Sequence, residues 1–466
     1  MGARLGVTLV LAVLLIGCGG DAGVSSTTAA PSTAVPPATT STSGAPVSST
    51  TSEPTTTTTT EASTTTVPLP GLLWGRVSDP QLDLGGPGGQ EMNAVVAAGP
   101  GLVAVGSEWS EEGLSAVVWV SEDGLDWERV PYDGTVFGGH GLLRMEAVVA
   151  AGPGLVAVGS DEPDGQTDAA VWISPDGLNW ERVNDEAFGG PGSQYMMGVS
   201  AGGPGVVAVG YAYADGATDG VVWTSPDGRD WTRLPDDGMV FGGPGNQRVW
   251  DVVAGGPGLV ALGQDGPPDE LFDAAVWTSA DGLTWTRIHI DQAVGIFGLN
   301  PRVHAVVVGD EGLTAVGSEG AGHGWLGPNV DLDAAVWRSP DGITWTAAPY
   351  DPAQPFSGLF EGGDQDMRGL AAVPGGFVAV GYEGPIFSEA EALFPDITGP
   401  DADAAVWTSA DGIRWILVPA DESVFGGLDD QVMWGVTAWG PGLVAVGADY
   451  SSGDGDAAVW VSPPPA

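Results

Sequence analysis

Lysine is absent from this chain of 466 residues, whose 13 basic residues are all arginine against 60 acidic ones, for a formal net charge of −47. A field of that sign repels nucleic-acid phosphate and anionic lipid headgroups alike, so neither is an expected partner. Histidine is scarce as well: four copies lie scattered, in no ligand spacing, and no P-loop, zinc motif or Ser/His/Asp elbow occurs. Cysteine occurs once, at Cys18, which excludes an intrachain disulfide and leaves packing to hold the fold.

The position of that cysteine is informative. Arg4 precedes an apolar run from Leu5 to Ile16, the length of a signal-peptide core and shorter than the roughly 20 residues that span a bilayer. The run ends in Leu15-Ile16-Gly17-Cys18, which resembles the lipobox of bacterial lipoproteins. The resemblance implies a signal peptide over residues 1–17, acylation of Cys18, and a chain held at the outer face of the cell membrane by that lipid alone. From Gly19 to Pro68 the chain is Ser, Thr, Pro and Ala with almost no large apolar residue, including six consecutive threonines from Thr55 to Thr60. Such a segment cannot bury a core, so residues 18–68 are expected to be a lipidated cysteine plus a disordered tether.

Residues 69–466 repeat one sentence with a period of 50 to 70 residues. An apolar strand closes on Val-Ala-Val-Gly, a variable loop follows, and then Ala-Val-Trp-x-Ser-x-Asp-Gly-x-x-Trp. The glycine before the first strand pair recurs at Gly101, Gly154, Gly205, Gly258, Gly312, Gly376 and Gly442. First tryptophans are Trp119, Trp172, Trp223, Trp277, Trp337, Trp407 and Trp460; second ones are Trp127, Trp180, Trp231, Trp285, Trp345 and Trp415. The last unit lacks its second tryptophan, and the missing piece stands at the other end. Trp74-Gly75-Arg76-Val77 matches the Trp-x-Arg-Val of Trp180 to Val183, and Trp74 precedes Gly101 by 27 residues, as Trp127 precedes Gly154. A linear solenoid has no use for a unit shared between the two chain ends, whereas a closed ring does. The expected fold is therefore all-β, a seven-bladed β-propeller of four-stranded antiparallel blades closed by the N-terminal strand. In the second blade the four strands read as 145–150, 155–159, 169–174 and 178–183.

The segment Ser-x-Asp-Gly-x-x-Trp, as in Ser174 to Trp180, occurs six times. It resembles, in a form shortened by one residue, the Asp-box or BNR repeat of sialidases, sortilin-type receptors and photosystem II assembly factors. What the motif implies is fold: Asp accepts turn N–H groups, Gly takes a positive φ, and Trp anchors the hairpin. Two further acidic rings, at Asp133, Glu186, Asp237, Asp291, Asp351 and Asp421 and at Asp168, Asp219, Asp273, Asp333, Asp403 and Asp456, read as loop caps. No metal site and no cofactor are expected, with Ca²⁺ the one ion these rings leave open.

Function is sought where the sevenfold pattern breaks. Just before the start of the channel-lining strand stand Glu91, Arg144, Tyr195, Arg248, Arg302, Asp366 and Val432; just after it stand Asn93, Glu146, Met197, Trp250, His304, Arg368 and Trp434. Gln90, Gln194, Gln247, Gln365 and Gln431 precede five of these. The candidate ligand-binding residues are Glu91, Arg144, Glu146, Tyr195, Arg248, Trp250, Arg302, His304, Arg368 and Trp434. Arg, Trp, Tyr and the amides of these glutamines suit an anionic or sugar ligand through bidentate hydrogen bonds and ring stacking; the same side chains could instead pair with one another in a wet channel. Longer loops in blades five and six carry His323, Trp325, Phe387 and Phe394, a one-sided rim.

Two readings stay open. One is a monomeric, non-catalytic binding or assembly head for a glycan or extracellular protein. The other is a glycoside hydrolase similar to sialidases, in which Arg144, Arg248 and Arg302 would imitate the carboxylate-binding arginines and Tyr195 with Glu146 the nucleophile pair. That resemblance departs at two points: no Arg-Ile-Pro motif leads the first blade, and such enzymes have six blades.

Overall fold

In the computed structural model the described residues run from 72 to 462, apart from short stretches of which the longest are 289–300, 321–331, 349–363 and 385–401. All of them belong to the unit spanning 64–466. They form seven four-stranded antiparallel sheets, and in six of these the strands follow one another in the chain. The seventh takes its strands from both ends of the described chain, with the N-terminal strand Gly75–Arg76 pairing antiparallel against Asp456–Ser462 in the register Gly75↔Val461 and Arg76↔Trp460. The ends of the β-propeller are thus joined by strand pairing, as expected from the displaced Trp-x-Arg-Val segment.

No single central core exists. Each sheet alternates its Val, Ala and Leu side chains to both faces, so apolar layers form between neighbouring blades. Val103 and Val105 of blade one pack on Met145 and Leu155 of blade two, and the last layer sets Val444 and Val446 of blade seven against Met92 and Leu102 of blade one. All seven first tryptophans are fully buried. Four of their indole N–H groups reach back to the preceding blade: Trp172 donates to the Val136 carbonyl at 2.8 Å, Trp223 to Ala187 at 2.8 Å, Trp277 to Val240 at 2.5 Å and Trp460 to Val424 at 2.7 Å. One residue type therefore fills the layer and pins blade to blade.

The six Ser-x-Asp-Gly-x-x-Trp turns share the serine and aspartate bonds, and all but the turn of Trp415, whose indole N–H has no acceptor among the described residues, share the tryptophan bond as well. At Ser174 the hydroxyl oxygen accepts the Gly177 N–H at 2.8 Å, Asp176 accepts the N–H groups of Leu178 and Asn179 at 3.0 and 2.8 Å, and the Trp180 indole donates to the Gly177 carbonyl at 2.8 Å. These bonds hold residues 178–180 in the turn, so the fourth strand of blade two is Glu181–Val183 and shorter than the 178–183 expected. The second strand is longer than expected, running from Gly154 to Asp161. In the second acidic ring Asp133 and Asp421 cap loops through the N–H groups of Thr135 and Ser423. In blade two the cap is Asp185 rather than Glu186, accepting from the Ala187 N–H at 2.9 Å. There the segment from tryptophan to phenylalanine is two residues shorter, Trp180 to Phe188 against Trp127 to Phe137, and the capping acid stands one residue nearer the tryptophan. Asp237, Asp291 and Asp351 lie outside the described residues.

The last glycine of Val-Ala-Val-Gly has a specific cause. In every blade the first strand carries a β-bulge, and the unpaired residue is Asn93, Glu146, Met197, Trp250, His304, Arg368 or Trp434. The bulge drives the preceding carbonyl onto the glycine opposite. A Cβ at Gly263 would lie 1.9 Å from the Arg248 carbonyl oxygen, and one at Gly106 would lie 1.8 Å from that of Glu91. Only a residue without a side chain admits that approach. The motif's glycine and the varied residue of the bulge are two halves of one device.

Candidate functional site

A bulge re-aims its extra side chain, and here seven bulges aim at one place. All seven unpaired residues line a single cavity of about 680 Å³ at the channel mouth, together with Glu91, Arg144 and Asp251. Of the candidates from sequence, Glu91, Arg144, Glu146, Trp250, His304, Arg368 and Trp434 stand on its wall. Tyr195, Arg248 and Arg302 are not among its lining residues, although Glu91 and Arg144 of the same register are; they lie behind it, and Arg248 is 6.0 Å from the Trp250 ring of the wall.

Three groups of contacts organise the mouth. On one side the Tyr450 hydroxyl of blade seven donates to Glu91 at 2.6 Å, and Arg144 lies 3.5 Å from Glu146. Burial raises the Glu146 carboxyl, Arg144 opposes the rise, and the Glu91 charge adds to it. Opposite, Asp366 is fully buried and holds Arg368 at 2.9 Å and His304 at 3.1 Å, with the Tyr382 hydroxyl at 3.5 Å. Burial raises the Asp366 carboxyl, but the His304 and Arg368 charges and their hydrogen bonds outweigh it and hold it at about 2. Burial pushes the His304 imidazole below its ordinary value despite the pull of Asp366. Arg368 is stretched over two rings, 5.7 Å from the Tyr382 centroid and 5.1 Å from that of Trp434.

The third group is aromatic. Tyr195 and Tyr211 stack at 4.8 Å, Tyr211 meets Trp250 edge-on at 5.7 Å, and Arg248 lies 5.2 Å over the Tyr211 ring. The Trp250 indole donates to Gln264 at 3.2 Å, and Gln264 donates in turn to the Pro301 carbonyl of the next blade. Among the described residues the Trp434 indole N–H and the Nε atoms of Arg248 and Arg368 are buried without an acceptor. Arg144 and Arg368 each have a carboxylate within ion-pair distance; Arg248 and Arg302 have none among the described residues.

Two expectations are corrected. The five glutamines are buried structural ties and take no part in the cavity wall. Gln247 donates to Asp265 at 2.7 Å, Gln431 to Asp449 at 3.0 Å, and Gln194 accepts from Arg233 at 2.8 Å. The acids at the ends of the second strands also take the arginine that follows the second tryptophan: Arg182 pairs with Asp161 and Arg76 with Asp449. The sialidase-like constellation is not assembled either. The Tyr195 hydroxyl sits 3.3 Å from Thr167 Oγ1 and its ring on Tyr211, with no hydrogen bond to Glu146, and only Arg144 of the three arginines is among the lining residues.

Sequence reading missed Asp251, Tyr211, Tyr382, Tyr450 and Gln264. Asp251 was findable, because the other six blades have Ala94, Ala147, Gly198, Ala305, Gly369 and Gly435 at that place. It accepts the N–H of Val252 at 2.8 Å and, across the blade boundary, that of Val306 at 2.9 Å. Burial raises its carboxyl to about 6, against the two N–H bonds that lower it. A folded-state value above the unfolded one means stability present below about 4 and lost as pH rises through about 6, roughly 3 kcal/mol across that window. Asp251→Asn is expected to remove this loss, so its stability relative to wild type climbs between pH 4 and 6 in urea titrations. A flat difference across that window refutes the assignment.

Among the described residues no group of three or more His, Cys, Asp or Glu side chains is placed to hold a metal ion. Cys18 and the rim residues His323, Trp325, Phe387 and Phe394 lie outside the described residues.

No protein-family model matches the chain, and no curated protein matches it. Solved β-propellers do. The chain is similar to a Trypanosoma rangeli sialidase in complex with 2,3-difluorosialic acid, at 12% identity and a TM-score of 0.41, over 80% of this chain and 54% of that one. It therefore spans about half the length of that sialidase. A thermostable family-43 glycoside hydrolase aligns at 14% identity and a TM-score of 0.34, over 55% of this chain and 85% of that one. The WD40 domain of Neurospora crassa Pan2 aligns at 9% identity and a TM-score of 0.43, over 85% of this chain and 99% of that one. At these identities the likeness concerns the fold and assigns no chemistry.

Proposed function

We propose that this propeller is the head of an extracytoplasmic lipoprotein, anchored through Cys18 and the tether that follows it, and that its channel mouth binds a glycan carrying a single carboxylate without cleaving it. The Ser-x-Asp-Gly-x-x-Trp turns are shortened Asp-boxes in this reading, structural on every blade. The observation that carries the proposal is Arg248 with Arg302, two arginines that stand two positions before the wall residues Trp250 and His304, just behind the cavity lining, and have no carboxylate partner among the described residues in a chain of net charge −47. Carboxylates outnumber arginines more than fourfold here, so guanidinium groups left unpaired suit an anion brought by a ligand. Trp250, 6.0 Å from the Arg248 guanidinium, and Trp434 elsewhere on the wall offer ring faces to a sugar. The same net charge disfavours a polyanion, which points to one carboxylate on a neutral glycan. Binding without turnover is favoured because the mouth's carboxyls are engaged: Asp366 with Arg368 and His304, Glu91 with Tyr450, Asp251 with two N–H groups.

One observation favours hydrolysis as a second reading: Glu146, with its carboxyl raised by burial, shares a wall with Glu91, as a general acid beside a carboxylate would. A single experiment separates them. Wild type and the Arg248→Ala/Arg302→Ala double variant are titrated with glucuronate and glucose by calorimetry and incubated with fluorogenic glucuronides. The binding reading expects a preference for glucuronate that falls by about 10- to 100-fold in the double variant, with no fluorophore released. Release that Glu146→Gln abolishes establishes the hydrolase; equal affinity for glucose and glucuronate overturns the carboxylate assignment.

A further inference from the structure

The third residue after each Val-Ala-Val-Gly glycine divides the ring in two. It is Trp109, Glu162, Tyr213 and Tyr450 in blades one, two, three and seven, and Gly266, Gly320 and Gly384 in blades four, five and six. Pairing places Ser107 opposite Glu91, Tyr211 opposite Tyr195 and Ala448 opposite Val432. Alternation then puts Trp109, Tyr213 and Tyr450 on the same sheet faces as those mouth residues, one step nearer the rim.

Those faces turn toward the next blade. Val103 and Val105, on the face of Trp109, pack on blade two; Val207 and Val209, on the face of Tyr213, pack on blade four. Tyr450 confirms the geometry, since its hydroxyl reaches Glu91 of blade one at 2.6 Å. Tyr450 is tied down in this way, whereas Trp109 is 46% exposed and Tyr213 is 50% exposed. Both exposed rings stand on rigid supports. In blades one and three the second and third strands stay paired further toward the rim than elsewhere, through Trp109↔Leu114 and Ser110↔Gly113 and through Tyr213↔Thr218 and Ala214↔Ala217. The latter hairpin closes through Asp215 and Gly216, with φ of 53° and 86°, the two positive values of a tight two-residue turn.

We propose that Trp109 and Tyr213 are stacking platforms that extend the mouth site, so that the ligand is an oligosaccharide chain with its acidic unit in the cavity and neighbouring sugars laid on these two rings. This rests on the glycan reading of the mouth. Rings held upright on hairpins lose little freedom on binding and present flat apolar faces of pyranose size. A protein partner would call for a contiguous apolar patch on the order of several hundred Å², whereas these two rings stand on separate blades amid a carboxylate-rich surface.

The test is calorimetric titration of the full chain with neutral oligosaccharides of one to four units that each end in one glucuronate. Affinity is expected to rise about tenfold from one unit to three. In the Trp109→Ala/Tyr213→Ala variant the ratio of three-unit to one-unit affinity is expected to fall to about two. Both side chains are surface groups, so an unchanged unfolding midpoint shows that the variant is folded. Glucuronate that binds with no gain from added units overturns the platforms and leaves the mouth reading intact. A gain that survives the double variant overturns them as well. Chains that gain with length through Trp109 and Tyr213, yet ignore Arg248→Ala/Arg302→Ala, leave the platforms standing and remove the carboxylate assignment. No binding by any member of the series removes both.

Discussion

Trp460→Ala is expected to cost about 3–5 kcal/mol and to open the ring at its one seam. Trp460 is fully buried, donates to the Val424 carbonyl of blade six at 2.7 Å, and packs with Leu72 and Trp74 of the N-terminal segment. Its backbone pairs with Arg76, whose guanidinium lies 5.8 Å over the indole ring and joins Asp449 in an ion pair. Removing the ring leaves a cavity between blades six and seven and strips the short N-terminal strand of its apolar support. Trp172 is the control, since it is equally buried and donates to Val136 in the same way. Its blade is built from consecutive strands, so Trp172→Ala costs a comparable amount while leaving the seam shut. Hydrogen exchange at residues 75–77 reads the difference. Loss of protection there in Trp460→Ala but not in Trp172→Ala is expected; equal protection in the two variants would show that strand pairing alone closes the circle.

Asp366→Ala is the second large effect, about 3–5 kcal/mol by the general cost of leaving a buried charge unpartnered. Arg368 would lose its ion pair at 2.9 Å, and His304 its partner at 3.1 Å. The pH dependence has a definite sign. The carboxyl is held at about 2 in the folded chain, below its ordinary 3.8. Its contribution of roughly 2 kcal/mol is therefore complete above about pH 4 and lost as pH falls through about 2. Asp366→Asn keeps the shape and removes the charge. It should be least stable relative to wild type near neutral pH and converge on it as pH falls through about 2. Acid titration of both proteins, followed by circular dichroism, checks this; parallel acid curves would mean that Asp366 carries no charge at neutrality.

Asp251 and Asp366 work in opposite senses although both are buried at the mouth. Asp251 meets only backbone N–H groups, too weak to offset burial, and is raised. Asp366 faces His304 and Arg368, and is lowered. Solvation loss wins in blade four and facing charge in blade six. Neither outcome is visible in the chain as text, because the residues that decide it belong to other blades or stand several positions away.

The misreadings have the same origin. Gln90 looked like part of a variable surface because the residue after it varies, yet its own partner, Glu108, lies 18 residues on. Tyr195, Arg248 and Arg302 occupy a register that varies as much as the bulge register does. In blades three, four and five the bulge residues Met197, Trp250 and His304 line the cavity while their predecessors pair with Tyr211, Gln264 and Ser318, whereas in blades one and two Glu91 and Arg144 of that register line it as well.

The sequence by itself determined the blade count, the strand order within blades and the sharing of the last blade between the two chain ends. Each of these rests on bonds made within one repeat, such as Ser174 with Gly177 or Trp180 with its own turn, and they are spelled out again in every unit. Only the tertiary structure decided which side chains meet at the mouth and what their charges do. Those contacts join residues a blade or more apart, as His304 with Asp366 or Tyr450 with Glu91, and they are set by ring curvature and by seven bulges whose one local sign is a glycine.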